Sequence, residues 1–301
     1  MEPTPRPLVV VTQREWVYRE MAEATHGQAP VHRAYGLDVP QVPHRSSWWM
    51  PPQFAARLHR ANDCPPLTAP GPRWLSTLSR THPHLTGREV RTLTVSDLTG
   101  LPGPGWVKPA QAKTDRFPAA WRTPEQAAAA AAEARFPADA LVQWSPTDLP
   151  IDIEVRAYVT HGVVTTVSTY RLVSRTYDAL IDSPAAMRYA RDPWLLGTAV
   201  RYAQDVVDAL DGRYPAGWVL DVAHVRGGGW VVLEGNAAWA SGWYDADLHR
   251  VRACIDAACP DLATRHGARE HRAWGWEPDP FEVAAAAALA PLRQAGMALT
   301  A

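Results

Sequence analysis

The stretch Trp218–Tyr244 reads WVLDVAHVRGGGWVVLEGNAAWASGWY. Two apolar runs rich in β-branched residues flank a Gly-Gly-Gly tract, a strong signal for an antiparallel hairpin. With Gly227-Gly228 as a two-residue turn, Arg226 pairs with Gly229, Val225 with Trp230, Ala223 with Val232 and Asp221 with Glu234. Side chains alternate faces along a strand, so Asp221, Glu234 and Asn236 project from one face. Facing carboxylates repel unless something positive lies between them. A divalent cation would serve, because two carboxylates and an amide oxygen are hard ligands suited to Mg²⁺ or Mn²⁺ shared with phosphates. The alternative is a solvated strand face whose two acids point at water.

Composition narrows the classes. A chain of 301 residues can hold one large domain or two smaller ones with a good core. A formal net charge of −1 argues against nonspecific binding to nucleic acid or to anionic membrane, while leaving room for a local basic pocket. The three cysteines, Cys64, Cys254 and Cys259, fit a reducing cytoplasm better than a disulfide framework. Cys254 and Cys259 fall in an expected helix and read as structural. No run approaches membrane-spanning length, and the N-terminus lacks a secretory pattern. The expectation is a soluble, cytoplasmic protein. The 14 tryptophans and 28 prolines imply stiff loops, with several indoles covering core or pocket walls.

Outward from the hairpin, the upstream half alternates strand and helix signals. LVVVT at 8–12 reads as a buried strand and Glu15–Ala24 as a helix. Short helices are expected over Gln53–Asn62 and Arg73–Arg80, and a strand over Val90–Leu98. LPGPG at 101–105 is a breaker cluster and the expected domain boundary, leaving a small α/β domain over residues 1–100. Trp106–Pro109 is a short strand carrying Lys108, followed by a polar loop with Lys113, Asp115 and Arg116. Thr123-Pro124-Glu125-Gln126 opens a helix with an N-cap, a proline at the first position and a capping-box glutamine. Leu141–Trp144 is another buried strand. A second hairpin follows with His161-Gly162 at its turn, pairing Thr160 with Val163, Arg156 with Val167, Glu154 with Thr169 and Asp152 with Arg171. Asp152, Glu154, Arg156 and Tyr158 then share one face. Asp192-Pro193 caps a helix over Trp194–Leu210. Another helix runs over Ala246–Ala258, and Asp279-Pro280 caps a last one reaching Gly296. Residues 101–260 form the expected functional core and 261–301 a tail with a helix.

A strand-borne lysine, an E-x-R strand and a D…E-x-N hairpin, in that order, suit a triphosphate and its metals: the bases would hold phosphate oxygens and the acids the bridging cations. From Trp106 to Tyr244 the chain resembles ATP-grasp proteins, especially a clade marked by one arginine and two lysines. The pieces that carry the resemblance are WVKPAQAKTDRF, DIEVRAYVTHGVV and the opening hairpin. The resemblance implies an α+β fold in which two antiparallel-sheet-plus-helix subdomains clamp a nucleotide. It implies that Lys108 and Lys113 contact phosphates, and that Gln143, Trp144 and Ser145 form a hinge whose backbone meets adenine. Arg156, with Glu154 beside it, would meet the γ-phosphate or acyl-phosphate. Asp221, Glu234 and Asn236 would hold Mg²⁺ (or Mn²⁺). The loop after Lys108 lacks the glycine-rich cover that many ATP-grasp enzymes use.

The implied chemistry is ATP-dependent ligation, in which a carboxylate takes the γ-phosphate and the acyl-phosphate is opened by an amine or similar nucleophile. Its partners would be small-molecule or peptide carboxylates and amines. Arg171 is a candidate clamp for the acceptor carboxylate, or else a partner of Asp152. Rival readings are an ATP-dependent phosphotransferase, a non-catalytic nucleotide-binding protein and a metal-dependent nuclease. Asn236 stands where the nuclease core would need a lysine, and the balanced charge offers no track for a phosphate backbone. Substrate identity and oligomeric state stay open.

Overall fold

Both hairpins form, and they share one sheet. The computed structural model describes residues 6–35, 42, 45–111, 114–173, 178–179 and 191–288. Two compact units emerge, each assembled from separate stretches of chain. Unit 1 comprises Met1–Met50, Pro66–Glu89 and Leu149–Trp276; unit 2 comprises Pro51–Pro65, Val90–Asp148 and Glu277–Ala301. The breaker cluster at 101–105 therefore lies within unit 2, and the segment from 261 onward divides between the two.

Unit 1 is built on five antiparallel strands: β8 (Ile151–Thr160), β9 (Val163–Val173), β10 (Asp178–Ala179), β11 (Gly217–Val225) and β12 (Trp230–Ala237). Their order across the sheet is β10-β9-β8-β11-β12. His161 and Gly162 both take positive φ, at 49° and 81°, as a two-residue type I′ turn requires. Thr160 pairs with Val163 as the sequence predicts. Helices α6 (Pro193–Ala209) and α7 (Leu248–Ala257) pack on this sheet. Asp192 caps α6, accepting from the backbone N–H of Trp194 and Leu195. Gly217 passes so close to α7 that a Cβ there would stand 2.2 Å from the Cys254 carbonyl oxygen, so only glycine fits. Cys254 and Cys259 are buried free thiols.

Unit 1 also holds a parallel sheet that the sequence did not announce, made of β1 (Leu8–Val11), β2 (Val31–Ala34) and β3 (Ser47–Trp49) in the order β2-β1-β3. Strands β2 and β3 are too short and too polar to stand out by periodicity. Helix α1 (Glu15–Ala24) falls where its spacing predicts, and α3 (Trp74–Thr81), α4 (Pro83–Thr86) and α8 (Arg265–Trp274) complete the unit.

Unit 2 carries an antiparallel sheet of β4 (Arg91–Thr94), β5 (Gly105–Pro109), β6 (Ala120–Arg122) and β7 (Leu141–Ser145), ordered β4-β7-β5-β6. Its core gathers Val107, Val142 and Trp144 from the sheet, the alanines of α5 (Pro124–Glu133) and three phenylalanines. Phe136 stacks on Phe281 at 4.1 Å, which ties in α9 (Pro280–Ala288), and α9 packs against α2 (Pro52–Arg60). Thr123 caps α5 through the full capping box. The strand expected over Val90–Leu98 stops at Thr94. A second capping box, between Thr94 and Asp97, diverts the chain into a 3₁₀ turn over Val95–Gly100. The end of the last expected helix, at Gly296, lies outside the described residues.

Candidate functional site

A row of polar side chains crosses the unit 1 sheet because the register puts Arg156 of β8 opposite Asp221 of β11, and Asp221 opposite Glu234 of β12. The expected Asp221–Glu234 pairing holds, by a different route. The turn is a three-residue loop in which the Val225 N–H donates to the Gly229 carbonyl and the Gly228 N–H to the Val225 carbonyl, so His224, not Val225, faces Trp230. A bulge at Leu233 then absorbs the offset. Val222 faces Val232, Leu233 is left over, and Asp221 meets Glu234. Without that extra residue Glu234 would pair with Leu220 and turn to the opposite face.

Arg156 and Asp221 form a buried bidentate pair, Nε to Oδ1 at 2.9 Å and Nη2 to Oδ2 at 2.8 Å. Asp221 is 0 % exposed and Arg156 7 %. Burial opposes the arginine's charge, but the facing Asp221 carboxylate outweighs it, so the guanidinium stays charged well above the ordinary arginine range. Asn236 Nδ2 donates to Asp221 Oδ2 at 2.9 Å and to Glu234 Oε1 at 2.7 Å, tying the two acids together. The remaining guanidinium nitrogen, Nη1, donates to the Gly242 carbonyl at 3.1 Å, which also accepts from the Tyr158 hydroxyl at 3.0 Å. The rings of Tyr170 and Tyr244 flank the guanidinium at 5.0 and 5.6 Å.

The Glu154–Arg156 hairpin corrects three expected pairings. Bulges at Thr165 and Tyr170 slip β9, so Arg156 faces Ser168 rather than Val167, and Glu154 faces Arg171 rather than Thr169. Arg171 accordingly bonds Glu154 at 2.9 Å, and Asp152 pairs instead with Arg226 at 3.1 Å. Burial raises the Glu154 carboxyl above its ordinary value, against opposing contributions from Tyr170 and Arg171. Tyr170 is pushed well above the phenol range by burial and by the surrounding Asp221, Glu154 and Glu234 carboxylates. It stands in the site as a neutral phenol.

Three features lay beyond sequence reasoning. Tyr170 entered the site through a bulge, which leaves no periodic trace. Gly242 to Asp245 are held over the row by long-range bonds, including Asp245 N–H to Ser168 Oγ at 3.0 Å. Arg88, from a region without motifs, donates to the carbonyls of Val232 at 2.8 Å and Leu233 at 3.2 Å, clasping the bulge that aims Glu234. Burial lowers its pKa to about 10, with Glu234 opposing that shift.

In unit 2, Lys108 on β5 and Gln143 on β7 are direct register partners, so their side chains share one sheet face. Gln143 and Ser145 are buried there, while Trp144 faces the core beneath Arg91. The Ser145 hydroxyl has no hydrogen-bond partner among the described residues. Lys113 lies outside the described residues. Among the described residues no group of three or more His, Cys, Asp or Glu side chains is placed to hold a metal. The Asp221–Glu234–Asn236 set has two carboxylates and one amide. No described helix is long and apolar enough to cross a membrane.

Comparison with known proteins agrees with this architecture. A family model for the ATP-grasp domain, family 2 of the clade named for one arginine and two lysines, matches residues 85–254. No curated protein matches the chain in sequence. Among solved structures, D-cycloserine synthetase DcsG superposes with a TM-score of 0.51 at 15 % identity, covering 83 % of this chain and 99 % of that one. An ATP-grasp RimK domain protein from Sphaerobacter thermophilus gives 0.45 at 15 % identity, covering 84 % and 99 %. At such identity the first likeness speaks for the fold, which is the α+β ATP-grasp fold. On the extent of the family match, more than half its length, the chain belongs to the ATP-grasp family, in the clade marked by one arginine and two lysines.

Proposed function

We propose that the protein is an ATP-dependent ligase that activates a carboxylate as an acyl-phosphate and joins it to an amine. The observation that carries this reading is the Arg156–Asp221–Glu234 row, laced by Asn236, in a chain of the ATP-grasp family. In-line phosphoryl transfer needs little covalent help from a protein; positioning and charge neutralisation supply most of the rate. Arg156 is fixed, charged and buried, suited to an equatorial phosphate oxygen once its hold on Asp221 loosens. Lys108 and Lys113 are assigned to phosphates, the Gln143–Ser145 backbone to adenine, and Glu154 with Arg156 to the nucleotide side, where Glu154 holds Arg171.

The donor set fits a hard divalent cation. Asp221 and Glu234 supply carboxylate oxygens, and Asn236 supplies an amide oxygen after a flip of its side chain. When bound, Mg²⁺ or Mn²⁺ would neutralise phosphate charge. Arg156 occupies both Asp221 oxygens, so the same carboxylate would have to serve guanidinium and cation in turn. Tyr170, held neutral, offers a hydrogen-bond donor and no base.

The test is mass spectrometry of products from Mg·ATP with panels of amino acids, peptides and dicarboxylates. Formation of ADP, phosphate and a joined amide, only with both substrates present, is the expected result. A stable phosphorylated substrate would instead establish a phosphotransferase, and absence of any Mg·ATP-dependent thermal shift would sink the nucleotide assignment.

A further inference from the structure

A cavity of about 830 Å³ lies within unit 1 and shares part of its wall with the arginine site. Its wall includes Ser168, Tyr170, Gly242 and Tyr244, the residues that face, flank or bind Arg156. Such a volume sits in the range of small-molecule sites. Tyr244 keeps a left-handed backbone with φ of 50°, unusual for a bulky residue, and its ring stacks on Tyr170 at 5.7 Å. On another side Trp49 packs against Trp243 at 5.0 Å. Each indole N–H is already satisfied, Trp49 by the Ser241 carbonyl at 2.8 Å and Trp243 by Glu20 Oε2 at 2.9 Å. These rings therefore present aromatic faces rather than donors. Trp16, 58 % exposed, adds another.

Charge is placed at the edges of this aromatic lining. Arg191 and Asp245 neutralise each other through a bond of 2.8 Å. The Arg14 guanidinium has no hydrogen bond or ion pair among the described residues, and Glu20 has one carboxylate oxygen beyond the indole bond. A ligand meeting all of these groups has a carboxylate for Arg14, an ammonium for Glu20 and a flat apolar body for the rings. We propose that this cavity is the acceptor site, and that it takes zwitterionic amino acids or short peptides bearing aromatic side chains. The word acceptor rests on the ligase reading; the binding chemistry does not.

The probe is L-phenylalanyl-L-phenylalanine, titrated calorimetrically into the full chain, alone and with Mg·ADP. Gly-Gly, which lacks rings, and N-acetyl-phenylalaninamide, which lacks both charges, serve as comparisons. Saturable binding of the aromatic dipeptide is expected, at least about tenfold tighter than either comparison, a gap of one decade in Kd. Trp16→Ala and Arg14→Gln, both at exposed positions that the fold does not need, should each weaken it severalfold. Lack of saturable binding in both states, or equal binding of Gly-Gly, overturns the assignment. Binding that ignores both substitutions places the dipeptide elsewhere and overturns it too. Dipeptide binding without ATP-dependent joining of any panel substrate would leave the cavity assigned and the ligase reading refuted. Joining of other substrates, with the dipeptide unbound, would do the reverse.

Discussion

Replacing Arg156 by methionine separates the two partners that compete for Asp221. In the structure Asp221 is fully buried and accepts three hydrogen bonds, two from Arg156 and one from Asn236. Removing one member of a buried pair strands the other, at a cost of about 3–5 kcal/mol. Methionine keeps much of the packing against Tyr170, so most of that loss is electrostatic. It also releases both Asp221 oxygens from the guanidinium, leaving only the Asn236 bond on Oδ2 to give way to a cation. A ligand that binds only the folded state returns about 2.7 kcal/mol when present at a hundredfold over its Kd. In EDTA, unit 1 of Arg156→Met should therefore lose several kcal/mol of stability, and saturating Mg²⁺ should restore about half or more. The wild type, whose Asp221 is already neutralised, should gain much less. Hydrogen exchange at the amides of β8 and β11, followed by mass spectrometry, reads this unit without interference from the other. Glu234→Gln added to Arg156→Met should abolish the recovery. Equal Mg²⁺ effects on wild type and variant, or none on either, would refute the shared-carboxylate account and with it the metal assignment.

Two other perturbations test different parts of the molecule. Arg88→Met leaves the Val232 and Leu233 carbonyls without their donor, at about 1–3 kcal/mol. It should also weaken Mn²⁺ binding severalfold by loosening Glu234, with partial rescue by Arg88→Lys; unchanged Mn²⁺ affinity in a folded Arg88→Met protein would reduce this arginine to ordinary support. In unit 2, burial pushes the Glu282 carboxyl up to about 7, the bond from the Asp279 N–H opposing the shift and the Asp279 carboxylate adding to it. The folded state then keeps a proton that the unfolded chain has released, so this group makes stability fall as pH rises from about 4.5 to 7, by about 3 kcal/mol at most. Glu282→Gln should flatten that slope while retaining the cap on the Asp279 N–H. A denaturant midpoint for unit 2 with the same pH slope in variant and wild type would contradict the assignment.

Much of the candidate site was legible in the order of residues. Alternation along Trp218–Tyr244 and Ile151–Arg171 located both hairpins, but the Asp221–Glu234 pairing forms through a three-residue turn and a bulge at Leu233 rather than through the two-residue turn that the glycine tract suggests. The helix caps at Thr123 and Asp192 are local chemistry and fell where the sequence put them. Alternation carries no information about interruptions, however. The bulges at Thr165, Tyr170 and Leu233 together decide which groups meet Arg156, Glu154 and Asp221, and the one at Leu233 is clasped from far along the chain. The clasping residue, Arg88, follows no pattern. The interleaving of the two units and the short parallel sheet β2-β1-β3 were equally hidden, because strands of three or four residues gain their identity from pairing rather than from periodicity. Sequence alone thus determined which chemical groups the protein has and on which strands they ride. Tertiary structure decided their register, since that depends on long-range contacts that balance buried charge and satisfy buried carbonyls.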